Sequence, residues 1–201
     1  MDFPRLALWG FADVLMAGFA GRGYPDGPLH LHRTGAFLPP ITFPYNSVLG
    51  HLTVVSDDFR GELERSLFRE LRFVPAVKAR IIGLAWDEWD LSSDQPEVFP
   101  ENDPEDYIWD MPHEPMVAAR MPDVWELVPP LFPLRTEWIE KTNRTPEKIR
   151  GYPTLTDRFP SIFLSHRSGH LIVDRNVRDW FQCRVAEWVE FIEVEMEAKA
   201  A

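Results

Sequence analysis

The hydrophobic pattern of the chain is most regular between residues 161 and 196. Two short apolar runs, at 161–165 and 171–173, predict two strands joined by a turn. Apolar residues then recur at every fourth position, which is the spacing of one face of a helix: Val177, Phe181 and Val185. Asp174 precedes them and is a suitable N-cap, because its carboxylate can accept a hydrogen bond from the first helical turn. From residue 188 the period changes to two, which predicts a final strand with one apolar and one acidic face.

The same order of elements recurs near the middle of the chain. A strand ending at Val55, a cap at Ser56 or Asp57 and a second strand at 71–77 enclose another apolar stripe with the four-residue spacing: Phe59, Leu63 and Leu67. An offset of 118 residues aligns Val55 with Val173 (173 − 55 = 118), and the same offset aligns the caps and the apolar stripes of the two segments. The pattern predicts two similar strand-helix-strand units, with an internal repeat over residues 50–77 and 169–196. Two unrelated segments with the same order of elements would give the same pattern.

Length and composition set the expected fold class. A chain of 201 residues with 45% hydrophobic content can bury a core without disulfides or metal, so residues 1–201 are predicted to form a single α+β domain. The one cysteine, Cys183, lies on the predicted C-terminal helix, where we expect a small buried side chain. A lone cysteine fits a reducing compartment, and no run of 18 apolar residues occurs. We therefore expect a cytoplasmic protein that does not cross a membrane.

Prolines interrupt the chain between residues 121 and 160. Within this stretch, residues 136–143 place Trp138 and Ile139 among charged side chains and predict a helix. A second short helix is predicted to open at residues 146–149.

The acidity of the chain is concentrated in one segment. Between Arg80 and Arg120 there are eleven acidic residues and no Lys or Arg, and the net charge of the whole chain is −11. Prolines in this segment disfavour a long helix or a central strand, so a Pro-rich acidic loop region is expected. Large aromatic residues lie among the acids, and such residues anchor protein interfaces while charge steers encounter. We predict a surface for a basic partner, and disfavour nucleic acid because a polyanion would be repelled.

The predicted partner-binding residues are the aromatic and acidic residues at the two ends of this segment. They are Trp86, Asp87, Glu88, Trp89, Asp90, Asp103, Glu105, Asp106, Tyr107, Trp109 and Asp110. An alternative remains open at this point, in which the tryptophans fold back onto the protein core and the loop is simply solvated.

The histidines are the other candidate chemistry. His30 and His32 lie two residues apart, so both would point to one face of a strand, where His51 could join them; His166 and His170 flank a predicted turn. Zinc would be compatible with either group, but neither has a carboxylate or thiol at a recognisable metal-binding spacing. We predict no metal, no cofactor and no catalytic residue, and keep a small metal-dependent or hydrolytic enzyme as the alternative.

A resemblance adds a specific function. Leu52-Thr-Val-Val-Ser-Asp-Asp-Phe-Arg-Gly-Glu-Leu-Glu64 is followed by Leu71-Arg-Phe-Val-Pro-Ala-Val77, and Leu171-Ile-Val-Asp-Arg-Asn-Val-Arg-Asp-Trp-Phe181 by Val189-Glu-Phe-Ile-Glu-Val194. Both resemble a valine-serine-aspartate, helix, phenylalanine-x-proline-valine signature found in immunity proteins of bacterial polymorphic toxin systems. Glu193 stands where the second copy would have its proline. The resemblance implies a non-enzymatic cytoplasmic protein that binds and neutralises a cognate toxin protein. An adaptor protein of a bacterial secretion or phage system is a further alternative.

Overall fold

The structure is a computed structural model. It contains both strands and helices, with much more sheet than helix, and the predicted α+β class is confirmed at that level. The residues that the structure describes are 2–5, 18–22, 27–44, 52–68, 70–83, 108, 110–142, 145–153, 159–165 and 170–196.

The described residues form fourteen strands and three helices. The strands are β1 Asp2–Arg5, β2 Gly18–Arg22, β3 Leu29–Thr34, β4 Ile41–Thr42, β5 Val54–Ser56, β6 Arg72–Pro75, β7 Val77–Ile82, β8 Val124–Val128, β9 Leu131–Phe132, β10 Leu134–Thr142, β11 Thr145–Pro153, β12 Ile162–Ser165, β13 Leu171–Val173 and β14 Glu190–Met196. The helices are α1 Asp57–Arg65, α2 Pro115–Arg120 and α3 Arg175–Val185. Among the residues described, no helix has the length and apolar character needed to cross a membrane.

Contacts divide the chain into two compact units. Unit 1 comprises Met1–Ala7, Leu63–Arg72 and Val128–Ala201, and unit 2 comprises Leu8–Glu62 and Phe73–Leu127. Each unit is built from segments that are distant in the sequence. The assignment of residues 1–201 to one domain stays a prediction.

Unit 1 is organised around a seven-stranded sheet in the order β10-β11-β14-β1-β13-β12-β9. The two edge strands, β9 and β10, are separated in the sequence only by Pro133. The Ser165 hydroxyl on β12 donates to the carbonyl oxygen of Leu134 on β10 at 2.6 Å, so the sheet curls until its two edges approach each other. The curled sheet encloses a core of apolar side chains: Leu134, Ile149, Phe163, Ile172, Ile192 and Val194.

The C-terminal elements of unit 1 follow the predicted pattern closely. The Asp174 carboxylate accepts a hydrogen bond from the Val177 backbone N–H at 2.9 Å and caps α3. The predicted stripe of α3, formed by Val177, Phe181 and Val185, is buried, which confirms the helix face. Strand β1 pairs with both β13 and β14 and thus separates the two strands that flank α3.

The prediction of a buried Cys183 is wrong, because the thiol is exposed. Cys183 lies six residues after Val177, which is about 600° of helical rotation and places it well away from the buried stripe.

Unit 2 contains a three-stranded sheet, β2-β3-β7, and a sheet in the order β4-β5-β8-β6. Strand β8 lies between β5 and β6, the two strands that flank α1. The backbone N–H of Phe59 donates to the Ser56 hydroxyl oxygen at 3.3 Å, and Phe59 is buried as predicted. Leu63, near the end of α1 and assigned to unit 1, is also buried as predicted. The core of this unit combines residues of both sheets and of α2: Leu29, Leu31, Leu38, Leu52, Val54, Ile81, Val117, Ala118, Met121 and Val124.

The prediction that Leu67 is the third buried residue of the α1 stripe is wrong. Leu67 is 84% exposed and lies beyond the end of the helix at Arg65. The hydroxyl of Ser66 donates to the Leu63 carbonyl oxygen at 2.6 Å and its oxygen accepts from the Phe68 backbone N–H at 3.1 Å, and these two bonds end the helix. The strand predicted at 71–77 is also divided, since β6 ends at Pro75 and β7 begins at Val77 in another sheet.

The helix predicted at residues 136–143 is wrong. Residues 136–142 belong to β10, whereas residue 143 lies outside the described residues. Residues 146–149 belong to β11, with which β10 forms an antiparallel pair. Strand β11 also pairs in parallel with β14, so the hairpin completes one side of the unit 1 sheet. The sheet pairing prevails over local helix propensity here, because helix propensity is only a weak preference.

Candidate functional site

Only a small part of the predicted acidic surface lies within the described residues. Asp110 is described and its side chain is exposed. The other predicted partner-binding residues lie outside the described part: Trp86, Asp87, Glu88, Trp89, Asp90, Asp103, Glu105, Asp106, Tyr107 and Trp109. Their assignment to a partner surface stays a prediction.

The described residues at the two ends of the acidic segment are bonded to each other. The backbone N–H of Gly83 donates to Glu114 Oε1 at 2.8 Å, and the backbone N–H of Glu114 donates to the Ile81 carbonyl oxygen at 2.8 Å. The backbone N–H of Ile81 in turn donates to His113 Nδ1 at 3.0 Å. The chain therefore leaves the end of β7 and returns beside it before α2 begins. Glu114, one of the eleven acids, is engaged with the backbone of its own chain.

Gly83 has close neighbours at this junction. A Cβ atom at Gly83 would lie 3.1 Å from Cγ2 of Val117 and 3.2 Å from Glu114 Oε2. Distances this short would force the neighbouring side chains to move. A side chain at residue 83 would thus require small shifts of Val117 and of Glu114, which accepts the bond that joins the two ends of the segment.

A second attachment lies further into the segment. Nη1 of Arg80 donates to the carbonyl oxygen of Ile108 at 3.0 Å, and the Ile108 side chain is 1% exposed. Arg80 is the last basic residue before the acidic run, so a cation on β7 contacts the backbone of the segment that carries the negative charge.

The histidine pair on β3 lies close to Arg80. His30 and His32 are half-buried and alternate with the buried Leu29 and Leu31, which confirms that the two imidazoles share a face. Burial, followed by the nearby charges of Arg80 and His30, holds the pKa of His32 below its ordinary value. The neutral imidazole is therefore favoured, and the adjacent guanidinium opposes binding of a metal cation.

Of the remaining predicted histidines, only His170 lies within the described residues. His51 and His166 lie outside the described residues. His170 is buried in unit 1, where its Nδ1 lies 3.0 Å from Thr136 Oγ1. Within the described residues there is no group of three or more His, Cys, Asp or Glu that could hold a metal ion.

Sequence reasoning missed two arginine-tryptophan contacts. In unit 2 the Arg60 guanidinium stacks over the Trp125 ring at 4.3 Å, while Asp57 Oδ1 accepts from Arg60 Nε at 3.1 Å and from Trp125 Nε1 at 2.8 Å. In unit 1 the Arg184 guanidinium lies 4.1 Å from the Trp180 ring centroid. Only the spacing of Arg184 four residues after Trp180 on a helix was a usable signal, because Arg60 and Trp125 are distant in the sequence.

A shallow pocket lies on the outer face of α3 beside β14. Its volume is about 260 Å³, and it is lined by Arg175, Arg178, Gln182, Phe191 and Glu193. Arg178 also pairs with Asp179 at 2.7 Å. Both charge signs contribute to this small lining, so the pocket does not identify a ligand class by its charge.

Comparison with known proteins identified no relative of this chain. The chain matches no family model, no curated protein and no solved structure.

Proposed function

We propose that this chain is a non-enzymatic binding protein, and most specifically an immunity protein that neutralises a cognate bacterial toxin domain by direct binding. One observation carries the proposal. The segment that contains the excess negative charge of the chain begins and ends at a bonded junction, formed by Gly83 and Glu114. A junction of this kind limits the separation of the two ends and so lowers the entropy that is lost when the segment docks on a partner.

The charge of the segment defines the chemistry of the partner. Acidic and basic residues are equal in number over the rest of the chain (32 − 11 = 21 acidic, 21 basic), so the attraction for a cation is local. A basic protein surface is the complement of such a segment, and electrostatic steering would raise its association rate. A basic toxin domain, such as a nuclease, fits this requirement.

We also propose that the two strand-helix-strand segments are copies of one unit. Each helix is capped by a side chain that accepts from the backbone N–H three residues later: Ser56 for α1 and Asp174 for α3. In both segments an additional strand separates the two strands that flank the helix, β8 in one case and β1 in the other. These common features support the pattern on which the resemblance to immunity proteins rests.

A growth-rescue experiment tests the proposed function. A basic toxin domain encoded beside this chain would be expressed in bacteria with and without it, and growth and complex formation by isothermal titration calorimetry would be measured. We expect growth arrest with the toxin alone, and rescue with a one-to-one complex when both are present. The matched variant carries Asp87→Asn, Glu88→Gln and Asp90→Asn, and should rescue more weakly. Absence of both rescue and binding would overturn the proposal.

The alternative of a small enzyme has one observation in its favour, namely the lowered pKa of His32 beside His30. A neutral imidazole at neutral pH can act as a base or as a metal ligand. Elemental analysis of the purified protein distinguishes the two functions, since a stoichiometric amount of zinc or iron would favour the enzyme.

We propose that the protein acts in the cytoplasm. The exposed Cys183 thiol on α3 would be open to oxidation in a secreted protein, whereas the cytosol keeps thiols reduced. An adaptor protein of a secretion or phage system would share this location and the acidic contact surface. Binding of a toxin domain separates the immunity protein from the adaptor.

A further inference from the structure

Arg33 is a buried cation in the interior of unit 2. Its side chain is 1% exposed, and burial lowers its pKa to about 10, so it remains charged at neutral pH. Arg33 follows Leu29 and Leu31 on the same face of β3, and those two leucines belong to the apolar core. Burial of an arginine in such surroundings costs folding free energy unless a counter-charge and hydrogen-bond acceptors accompany it.

Two of the nitrogen donors of Arg33 make no hydrogen bond. Nε and Nη2 are both buried and neither has a hydrogen-bond partner. These two N–H groups lie on the same edge of the planar guanidinium, and together they form the fork that binds two oxygen atoms side by side. One oxyanion with two suitably spaced oxygens would therefore satisfy both donors at once.

The strand register places no polar side chain directly opposite Arg33. Strand β3 is the middle strand of β2-β3-β7, and the cross-strand neighbours of Arg33 are Gly18 on β2 and Ile81 on β7. Residues that lie directly opposite each other share one face of a sheet. Gly18 has no side chain to fill that face, and Ile81 offers no polar atom in its side chain. Neither cross-strand neighbour therefore offers a side-chain acceptor to the guanidinium edge.

We propose that the free edge of Arg33, opposite Gly18, binds a small oxyanion of the carboxylate or phosphate class. Bidentate contact with a buried guanidinium gives short-range selectivity for an anion that the overall charge of −11 does not attract. A bound oxyanion would stabilise unit 2, because only the folded chain presents the fork.

Thermal unfolding of the full chain tests this site. The melting temperature would be followed in Tris chloride during titration with sodium phosphate, sodium acetate or sodium chloride at constant ionic strength. We expect a saturable rise with phosphate or acetate that chloride does not produce. The phosphate and acetate titrations distinguish the two members of the class.

Three variants separate specific binding from the general stabilising effect of phosphate. Arg33→Met keeps an unbranched side chain without charge and should fold, since an apolar residue often replaces a buried ion without loss of stability. It should lose the saturable response, while Arg33→Lys should bind at least tenfold more weakly because it has no fork. Arg120→Met removes an exposed arginine of the same unit and should respond like the original protein.

Two results would overturn the proposal. One is an unchanged saturable response in Arg33→Met. The other is the absence of any saturable response in the original chain, whether or not the variants fold.

Discussion

At the scale of single residues, Phe181 illustrates how burial converts into stability. Its side chain has no exposed surface, and its ring centroid lies 5.4 Å from that of Trp180 and 6.5 Å from that of Phe191. Phe181→Ala should lower the free energy of unfolding by about 3–5 kcal/mol in a urea titration, because it removes apolar contacts and leaves a cavity. Gln182→Ala, an exposed neighbour on the same helix, should change it by less than about 0.5 kcal/mol. A loss below about 1 kcal/mol for Phe181→Ala would contradict the assigned helix face.

His32 gives a prediction for pH at the same scale. Burial, Arg80 and His30 lower its pKa in the folded chain, so the unfolded chain binds the proton more readily. Protonation of the unfolded chain below the ordinary pKa of about 6.5 therefore favours unfolding. The stability is lost as the pH falls from that value through the lower pKa of His32 in the folded chain. Denaturant titrations at pH 8 and pH 5 should show a larger loss of stability for the original chain than for His32→Asn. Equal losses in the two proteins would show that His32 does not cause the loss of stability at low pH.

At the scale of elements, the N-cap of α3 is a contact that the sequence identifies and that can be tested alone. Asp174→Ala removes the acceptor for the Val177 backbone N–H and should lower the free energy of unfolding by about 1 kcal/mol. Asp179→Ala provides the control, because it removes an exposed carboxylate paired with Arg178 on the same helix. Its effect should stay within about 0.5 kcal/mol, as is usual for exposed ion pairs. Equal effects of the two substitutions would contradict the capping role.

The elements that the sequence predicts are those whose local signals agree. The cap, the apolar stripe and the change of period within residues 161–196 all favour the same structure, and the observed elements follow them. The local signals of strand β10 do not agree with its structure, because its residues have a composition that is compatible with a helix. Its strand conformation follows from pairing with β11, which in turn pairs with β14. The charged positions Arg135 and Glu137 are exposed on either side of Thr136, a two-residue period that the helix prediction overlooked.

At the scale of the whole molecule, strand order is what the sequence leaves open. Strand β1 lies between β13 and β14, and its Asp2 pairs with Val173 and Glu193. Nothing in a four-residue strand specifies partners so distant in the chain, because pairing depends on the complete sheet. The candidate site likewise has one part that the sequence predicts and one part that it leaves open. Sequence composition locates the acidic segment, while its bonded junction at Gly83 and Glu114 depends on contacts between residues 31 positions apart.

The acidic segment gives a prediction at this same scale, in which charge and aromatic anchoring should separate kinetically. If it binds a cationic toxin domain, neutralising Asp103, Glu105 and Asp106 should mainly slow association and weaken its salt dependence, because exposed charges act through a field that is screened within about 10 Å at 0.1 M salt. Trp89→Ala or Trp109→Ala should mainly speed dissociation, by roughly 2 kcal/mol or more for a residue at the centre of the interface.

The alternative, in which these tryptophans pack into the protein's own core, predicts a different principal effect. The same Trp substitutions would then lower the melting temperature and leave dissociation nearly unchanged. Surface plasmon resonance and thermal unfolding measured on the same variants distinguish the two accounts, with Gln182→Ala as a substitution outside the segment. Unchanged binding for every altered residue would remove this surface, and with it the physical argument for a basic toxin as the partner.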